Sequence, residues 1–153
     1  MFENIIKNVH NRHPLIHCIT NYVSINDCAN IVLACGGAPI MAEDINEVSQ
    51  ITSICQGLDI NIGMLNDNKL SSMLKAGATA NELGIPVILD PVGAGSSDYR
   101  IKAVQNLMSN VQFGVIRGNV SEIKAIAAKQ GIHNIAAGVY ETMQKNKSAM
   151  GVE

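Results

Sequence analysis

Asp90 and Arg117 each end a short apolar run and open a polar, glycine-bearing turn, in Ile85-Pro-Val-Ile-Leu-Asp-Pro-Val-Gly-Ala-Gly-Ser-Ser97 and Val115-Ile-Arg-Gly-Asn-Val-Ser-Glu-Ile123. Short apolar runs bounded by turn residues are buried strands, and open parallel sheets bind ligands at the carboxyl ends of their strands. A guanidinium at that edge presents a planar fork of donors that matches phosphate. Gly93 and Gly95 let backbone N–H groups approach an anion, and the helix N-terminus that follows favours negative charge. The loop is not a Walker A sequence, having no Gly-Lys-Ser/Thr, and Gly93-Ala-Gly95 lacks the third glycine of a dinucleotide fingerprint. It reads equally as a tight strand-to-helix turn with Ser96 or Ser97 as cap. Glu122 falls in the first turn of the next helix. With Asp90 it makes two carboxylates beside an anion site, a set that suits Mg²⁺. Alternatively Glu122 complements the helix dipole, with Ser121 or Asn119 as cap.

A second chemical stretch is His17-Cys-Ile-Thr-Asn-Tyr-Val23, a strand running into Thr20 and Asn21, whose hydroxyl and amide can meet a small ligand. His17 reads as a hydrogen-bonded interior histidine. Met41 closes Ala38-Pro-Ile-Met41 and offers a soft apolar wall for a flat heterocycle, although a methionine there also reads as core.

The elements that must position these residues alternate along the whole chain. Helical spacing covers Phe2 to Arg12, Ile25 to Cys35, Asp67 to Leu83 closed by Gly84, 98 to 108 and 120 to 129. Asp44-Ile-Asn-Glu47 has the form of a capping box ahead of Val48, Ile51 and Ile54. Strand-like runs fall at Leu15 to Ile19, Ala38 to Met41, Leu58 to Ile62, 86 to 89 and 113 to 116. Strands alternating with crossover helices demand parallel pairing, and runs as apolar as Pro-Val-Ile-Leu imply burial on both faces. The expected fold is α/β, a three-layer α/β/α arrangement on a mainly parallel sheet, in one domain over 1–153. Ile135 to Gln144 reads as one further helix.

Charged residues make up 16% of the 153 and hydrophobic ones 47%, against roughly 25% charged in ordinary soluble domains. Some apolar surface is therefore expected to be covered by another subunit. A net charge of −2 and 3% aromatics supply neither the basic footprint nor the stacking platforms of a nucleic-acid binder. No apolar run reaches the roughly 20 residues of a membrane span, and the N-terminal residues do not form a signal peptide, so a cytoplasmic chain is expected. Cys18, Cys28, Cys35 and Cys55 contain no C-x-x-C pair, which argues against zinc and fits small buried thiols, with Cys28 and Cys35 on one helix face.

Taken in order, His17-Cys-Ile-Thr-Asn21, Gly36-Gly-Ala-Pro-Ile-Met41, Ile60-Asn-Ile-Gly63, Asp90-Pro-Val-Gly-Ala-Gly95 with Arg100, and Arg117-Gly-Asn119 with Ser121-Glu122 resemble the N-terminal half of hydroxyethylthiazole kinases. These are thiamin-salvage enzymes of the ribokinase-like superfamily. The likeness runs from about residue 10 to about residue 128. It implies that Asn21, Val23 and Met41 face the thiazole alcohol, that Asp90 and Glu122 serve Mg²⁺, and that Arg117 and Asn119 contact ATP. It also implies a homotrimer with active sites at subunit contacts. The implied reaction moves the γ-phosphate of ATP to the primary alcohol of 4-methyl-5-(2-hydroxyethyl)thiazole, largely by positioning and charge neutralisation. Members continue into a Gly-Thr-Gly-Cys loop that forms the anion hole and carries the proposed catalytic cysteine. No such loop occurs in this sequence, so no catalytic residue is assigned and the expected domain is partial, a truncated or split kinase. Met64 stands where threonine is usual, and Gly37-Ala38 where Ala-Ser is usual. The alternatives are a non-catalytic remnant that binds the thiazole or assembles with a partner, and another vitamin kinase of the same fold.

Overall fold

The computed structural model describes residues 2–129; the helix expected over Ile135 to Gln144 lies outside them. Element order is α1 (Phe2–Arg12), β1 (Leu15–Ile19), α2 (Ile25–Ala34), β2 (Ala38–Met41), α3 (Val48–Ile54), β3 (Gly57–Asn61), α4 (Asp67–Glu82), β4 (Val87–Asp90), α5 (Asp98–Asn110), β5 (Val115–Ile116) and α6 (Val120–Lys129). The strands form one sheet of five, in the order β2-β1-β3-β4-β5, and every pairing is parallel. The α/β class expected from the alternation is what the chain adopts.

Between β1 and β2 the chain steps one way across the sheet, and from β2 onward it steps the other. Right-handed crossovers then put α2 on one face and α3, α4 and α5 on the opposite one. Leu58, Ile60, Val87 and Leu89 point at the α3–α5 layer, where they pack with Met73, Ala76, Val104 and Leu107 into the main core. The alternate residues of β4 and β5 face the other way, and among the described residues that side is open, with Ile88 42% and Val115 52% exposed. Burial on both faces, expected from the apolar runs, is therefore realised on one face of β4.

Helix ends follow local chemistry with one departure. Asn66 caps α4 by accepting from the Lys69 N–H, and Ser97 caps α5 by accepting from the Arg100 N–H. Gly84 ends α4 at φ +68°, a conformation costly for side chains with a Cβ. The capping box expected at Asp44 to Glu47 does not form. Asp44 instead accepts from the backbone and side-chain nitrogens of Asn46, so residues 45–47 make a turn and α3 begins after Glu47, which gives no side-chain cap. The reciprocal box forms at α6, where Asn119 Oδ1 accepts from the Glu122 N–H and Glu122 Oε2 accepts from the Asn119 N–H.

Candidate functional site

Parallel pairing brings the residues after all five strands to one edge. Because the direction of travel across the sheet reverses after β2, the neighbours β1 and β3 carry crossovers on opposite faces, and a crevice opens between their carboxyl ends. Asn21 follows β1, Met41 ends β2, Asn61 ends β3, Asp90 ends β4 and Arg117 follows β5.

A row of polar side chains crosses this edge. Asn21 Oδ1 accepts from the Ser24 backbone N–H at 3.0 Å and from its hydroxyl at 3.1 Å. Asn21 Nδ2 donates to Asn61 Oδ1 at 3.2 Å, and Asn61 Nδ2 donates to Asp90 Oδ2 at 3.0 Å. Arg117 Nη1 reaches the same Asp90 oxygen at 3.5 Å, from a side chain that is 79% exposed. Both donors meet Oδ2, so the other Asp90 oxygen carries neither of these bonds. Burial raises the Asp90 carboxyl above its ordinary value; Arg117 opposes the shift and the nearby Glu122 charge adds to it.

Glu122 ties the Gly93 loop to α6. Its Oε1 accepts from the Gly93 N–H at 2.9 Å while Oε2 serves Asn119. Within the loop, Ala94 N–H donates to Pro91 O and Ser96 N–H to Gly93 O. Two backbone donors of the Asp90–Ser97 loop are thus used within it and a third is taken by Glu122, which realises the reading as a built turn capped by Ser97. Between this loop and α6 lies a pocket of about 640 Å³, lined by Gly93, Gly95, Asn119, Ser121 and Glu122 among others.

On the β1/β2 side, Met41 lines a smaller pocket of about 230 Å³ with Cys18, Thr20, Tyr22 and Ile25. Val23, expected beside the same ligand, sits in the turn before α2 and is 90% exposed. It lines none of the described pockets named here. The chain therefore brings together Asn21, Asp90, Glu122, Asn119 and Arg117, sets Met41 in the pocket on the β1/β2 side of the same edge, and leaves Val23 in solvent.

Three residues have structural roles at this edge that the sequence did not assign, although Arg100 and Asn61 fall in segments that carry the resemblance. Arg100 donates through Nη1 to Ile62 O (2.6 Å) and Val92 O (2.9 Å) and through Nη2 to Gly63 O (2.8 Å), clamping the turn after β3 to the turn after β4. Lys69 is 4% exposed; its Nζ donates to Thr20 O at 2.7 Å, pairs with Glu43 at 2.7 Å and lies 4.4 Å over the Tyr22 ring. Tyr22 donates its hydroxyl to Glu43. Burial works against the Glu43 carboxylate, but the Lys69 and Tyr22 bonds outweigh it and lower its pKa. Asn61 is the third, 8% exposed at the centre of the row.

His17 is an interior residue as expected, with Nε2 on Ala42 O at 2.8 Å and Nδ1 on Thr52 Oγ1 at 2.9 Å, and burial holds it below its ordinary pKa. Cys18 is pushed up to about 12, first by burial and then by the charge of Asp59 and the neighbouring thiols, so it is unreactive. Cys35 is exposed and Cys28 only half-buried, which corrects the expectation that both lie in the core, since α2 has no buried residue. Among the described residues no three His, Cys, Asp or Glu side chains converge as a metal cage. The pair Asp90 and Glu122 still fits Mg²⁺, which needs only one or two protein carboxylates beside phosphate oxygens and water. Their mutual repulsion is what such a cation relieves.

Comparison with known proteins gives a consistent match. A family model described as the hydroxyethylthiazole kinase family matches residues 6–151. A hydroxyethylthiazole kinase of Clostridium acetobutylicum is 61% identical over 132 residues, covering 86% of this chain and 48% of the relative. One from Alkaliphilus metalliredigens is 59% identical over 124 residues, covering 81% and 46%. Among solved structures, a hydroxyethylthiazole kinase protein from Pyrococcus horikoshii OT3 superposes with a TM-score of 0.82 at 39% identity, over 87% of this chain and 52% of that one. The chain spans about half the length of the curated relatives it matches.

Proposed function

The chain belongs to the hydroxyethylthiazole kinase family, and on that premise we propose that it carries the alcohol-binding and phosphate-facing part of a thiazole kinase. The reaction transfers the γ-phosphate of ATP to the primary alcohol of 4-methyl-5-(2-hydroxyethyl)thiazole. The observation that carries this reading is the hydrogen-bonded row from Asn21 through Asn61 to Asp90 and Arg117, at the edge where the chain's direction reverses. Substrate-side and phosphate-side groups of the reading meet there.

In this reading Asn21 and Met41 hold the thiazole alcohol, with Val23 at the rim, and Arg117 and Asn119 meet ATP. Arg117 is suited to its role by exposure, since its long contact with Asp90 leaves the fork able to turn onto a phosphate. Asp90 and Glu122 would hold Mg²⁺, which when bound neutralises charge on the transferring phosphate. A homotrimer is part of the same reading, supported by exposed apolar side chains on α2, Ile31 at 62% and Leu33 at 56%. So is a place in the cytoplasm; among the described residues no helix is long and apolar enough to cross a membrane. A second reading, a thiazole-binding or assembly module without turnover, is favoured by one observation: both Glu122 oxygens already accept backbone N–H groups, from Gly93 and from Asn119.

Mass spectrometry of phosphorylated thiazole separates the two. The chain is assayed alone and with a polypeptide matching the second half of its relatives. The kinase reading expects phosphorylated thiazole, with each preorganised donor typically worth about 10²–10³-fold in rate. It expects a gain on addition that Asp90→Asn and Arg117→Gln abolish. Thiazole binding with no product under either condition establishes the module reading instead.

A further inference from the structure

We propose that Asn61 is a positioning residue, holding the substrate-side amide of Asn21 and the phosphate-side carboxylate of Asp90 in one fixed geometry; the inference rests on the kinase reading above. Two backbone donors dictate the polarity of the row, one at Asn61 and one at Asn21. The Gly63 N–H can only donate, and it points at Asn61 from 2.8 Å, so the facing atom of Asn61 is its oxygen and its nitrogen lies against Asp90 Oδ2. The Ser24 N–H can only donate, so the facing atom of Asn21 is also oxygen and its nitrogen points to Asn61. Each amide is thereby locked in one orientation.

Two consequences bear on function. Asn21 Oδ1 already accepts two bonds from Ser24, so Asn21 has only its remaining amide hydrogen to give, and the ligand group that meets it is a hydrogen-bond acceptor. Asp90 Oδ2 receives donors from both Asn61 and Arg117, so that oxygen faces its neighbours as an acceptor and the carboxylate plane is set by Asn61. At 8% exposure water does not readily replace Asn61. Gly63 completes the arrangement: a Cβ there would lie 2.9 Å from Asn61 Oδ1 and 3.0 Å from Asn21 Nδ2, forcing the two amides to shift.

The test uses the full chain and two readouts. In the ligand-free protein, ¹⁵N–¹H spectra follow the side-chain amides of Asn21 and Asn61. Asp90→Ala and Gly63→Ala are each expected to shift both pairs of signals, and an unmoved Asn21 amide in Asp90→Ala overturns the proposal. Asn61→Asp keeps the acceptor for Gly63 and Asn21 but no longer donates to Asp90. It also faces Asp90 with a second carboxylate, and the lost bond and this like-charge contact together are expected to weaken both Mg–ADP and thiazole alcohol about tenfold or more in calorimetry. A lower melting temperature with both affinities intact marks a merely structural amide and overturns it. If the native chain binds no thiazole alcohol the kinase reading fails, while the amide spectra still decide the role of Asn61. They decide it equally if Asn61→Asp does not fold.

Discussion

Replacing Arg100 with alanine should loosen the site's frame more than its moderate exposure suggests. The guanidinium supplies three donors to three main-chain oxygens, Ile62, Gly63 and Val92, at 2.6, 2.8 and 2.9 Å. Hydrogen bonds to a charged group contribute about 1.5–3 kcal/mol each, but these share one side chain, and water reaches the freed oxygens of two turns at the sheet edge. The expected loss is therefore about 2–4 kcal/mol rather than the full sum, a large share of the roughly 5–15 kcal/mol that holds a domain together. Urea unfolding followed by circular dichroism on the full chain measures it. Arg100→Lys should recover part of the loss, since an ammonium offers three donors without the planar fork. A loss below about 1 kcal/mol for Arg100→Ala would show the oxygens already solvated and refute the clamp.

Gly77→Ala puts a Cβ 2.5 Å from Val111 Cγ2 and 2.7 Å from Cγ1, so it should destabilise the α4–α5 contact by about 1–3 kcal/mol; Val111→Ala in the same chain should relieve most of this, and an additive double variant would contradict it. Asp59 is raised to about 6, first by burial and then by Asp90. Its protonated form is thus favoured on folding, a contribution fully present below the unfolded value near 3.8 and lost as pH rises through 6. Asp59→Asn should then stabilise the chain at pH 7, by up to ~3 kcal/mol, and give no gain near pH 3; equal gains at both would refute the burial argument. His17 is lowered by burial, so its contribution is fully present above pH 6.5 and is lost as pH falls below that value. The stability difference between native chain and His17→Gln should therefore shrink on acidification, and a pH-independent difference would show that proton uptake by His17 is not coupled to unfolding.

Strand content was legible where burial alone dictates it. β1 and β2 fall at Leu15–Ile19 and Ala38–Met41 as the apolar runs indicate, and β3 is displaced by one residue toward Gly57. The expected strand over 113 to 116 contracts to Val115–Ile116, because β5 pairs with β4 alone in the described sheet. The capping box was misplaced because a carboxylate three residues before Glu suits an Asx turn as well as a cap, and only the tertiary path of the chain chooses between them. Asp90 and Arg117 were legible as residues that end apolar runs. The bonds of Asn61 to Asn21 and Asp90, and those of Lys69 and Arg100 to the strand-end turns, were not, because these partners lie 8–49 residues away and meet only in the folded chain. Lysine is ordinarily an exposed residue, whereas folding buries Lys69 over Tyr22 and against Glu43.

The central claim is that a thiazole alcohol docks between Asn21 and Met41 at the same strand edge that presents Asp90 and Arg117. Calorimetric titration of 4-methyl-5-(2-hydroxyethyl)thiazole into the full chain tests it most directly. Saturable binding is expected, weakened by Asn21→Ala and by Met41→Ala while both variants keep the native circular dichroism spectrum. No heat of binding at millimolar ligand in a folded sample, or the same affinity in both variants, would contradict it.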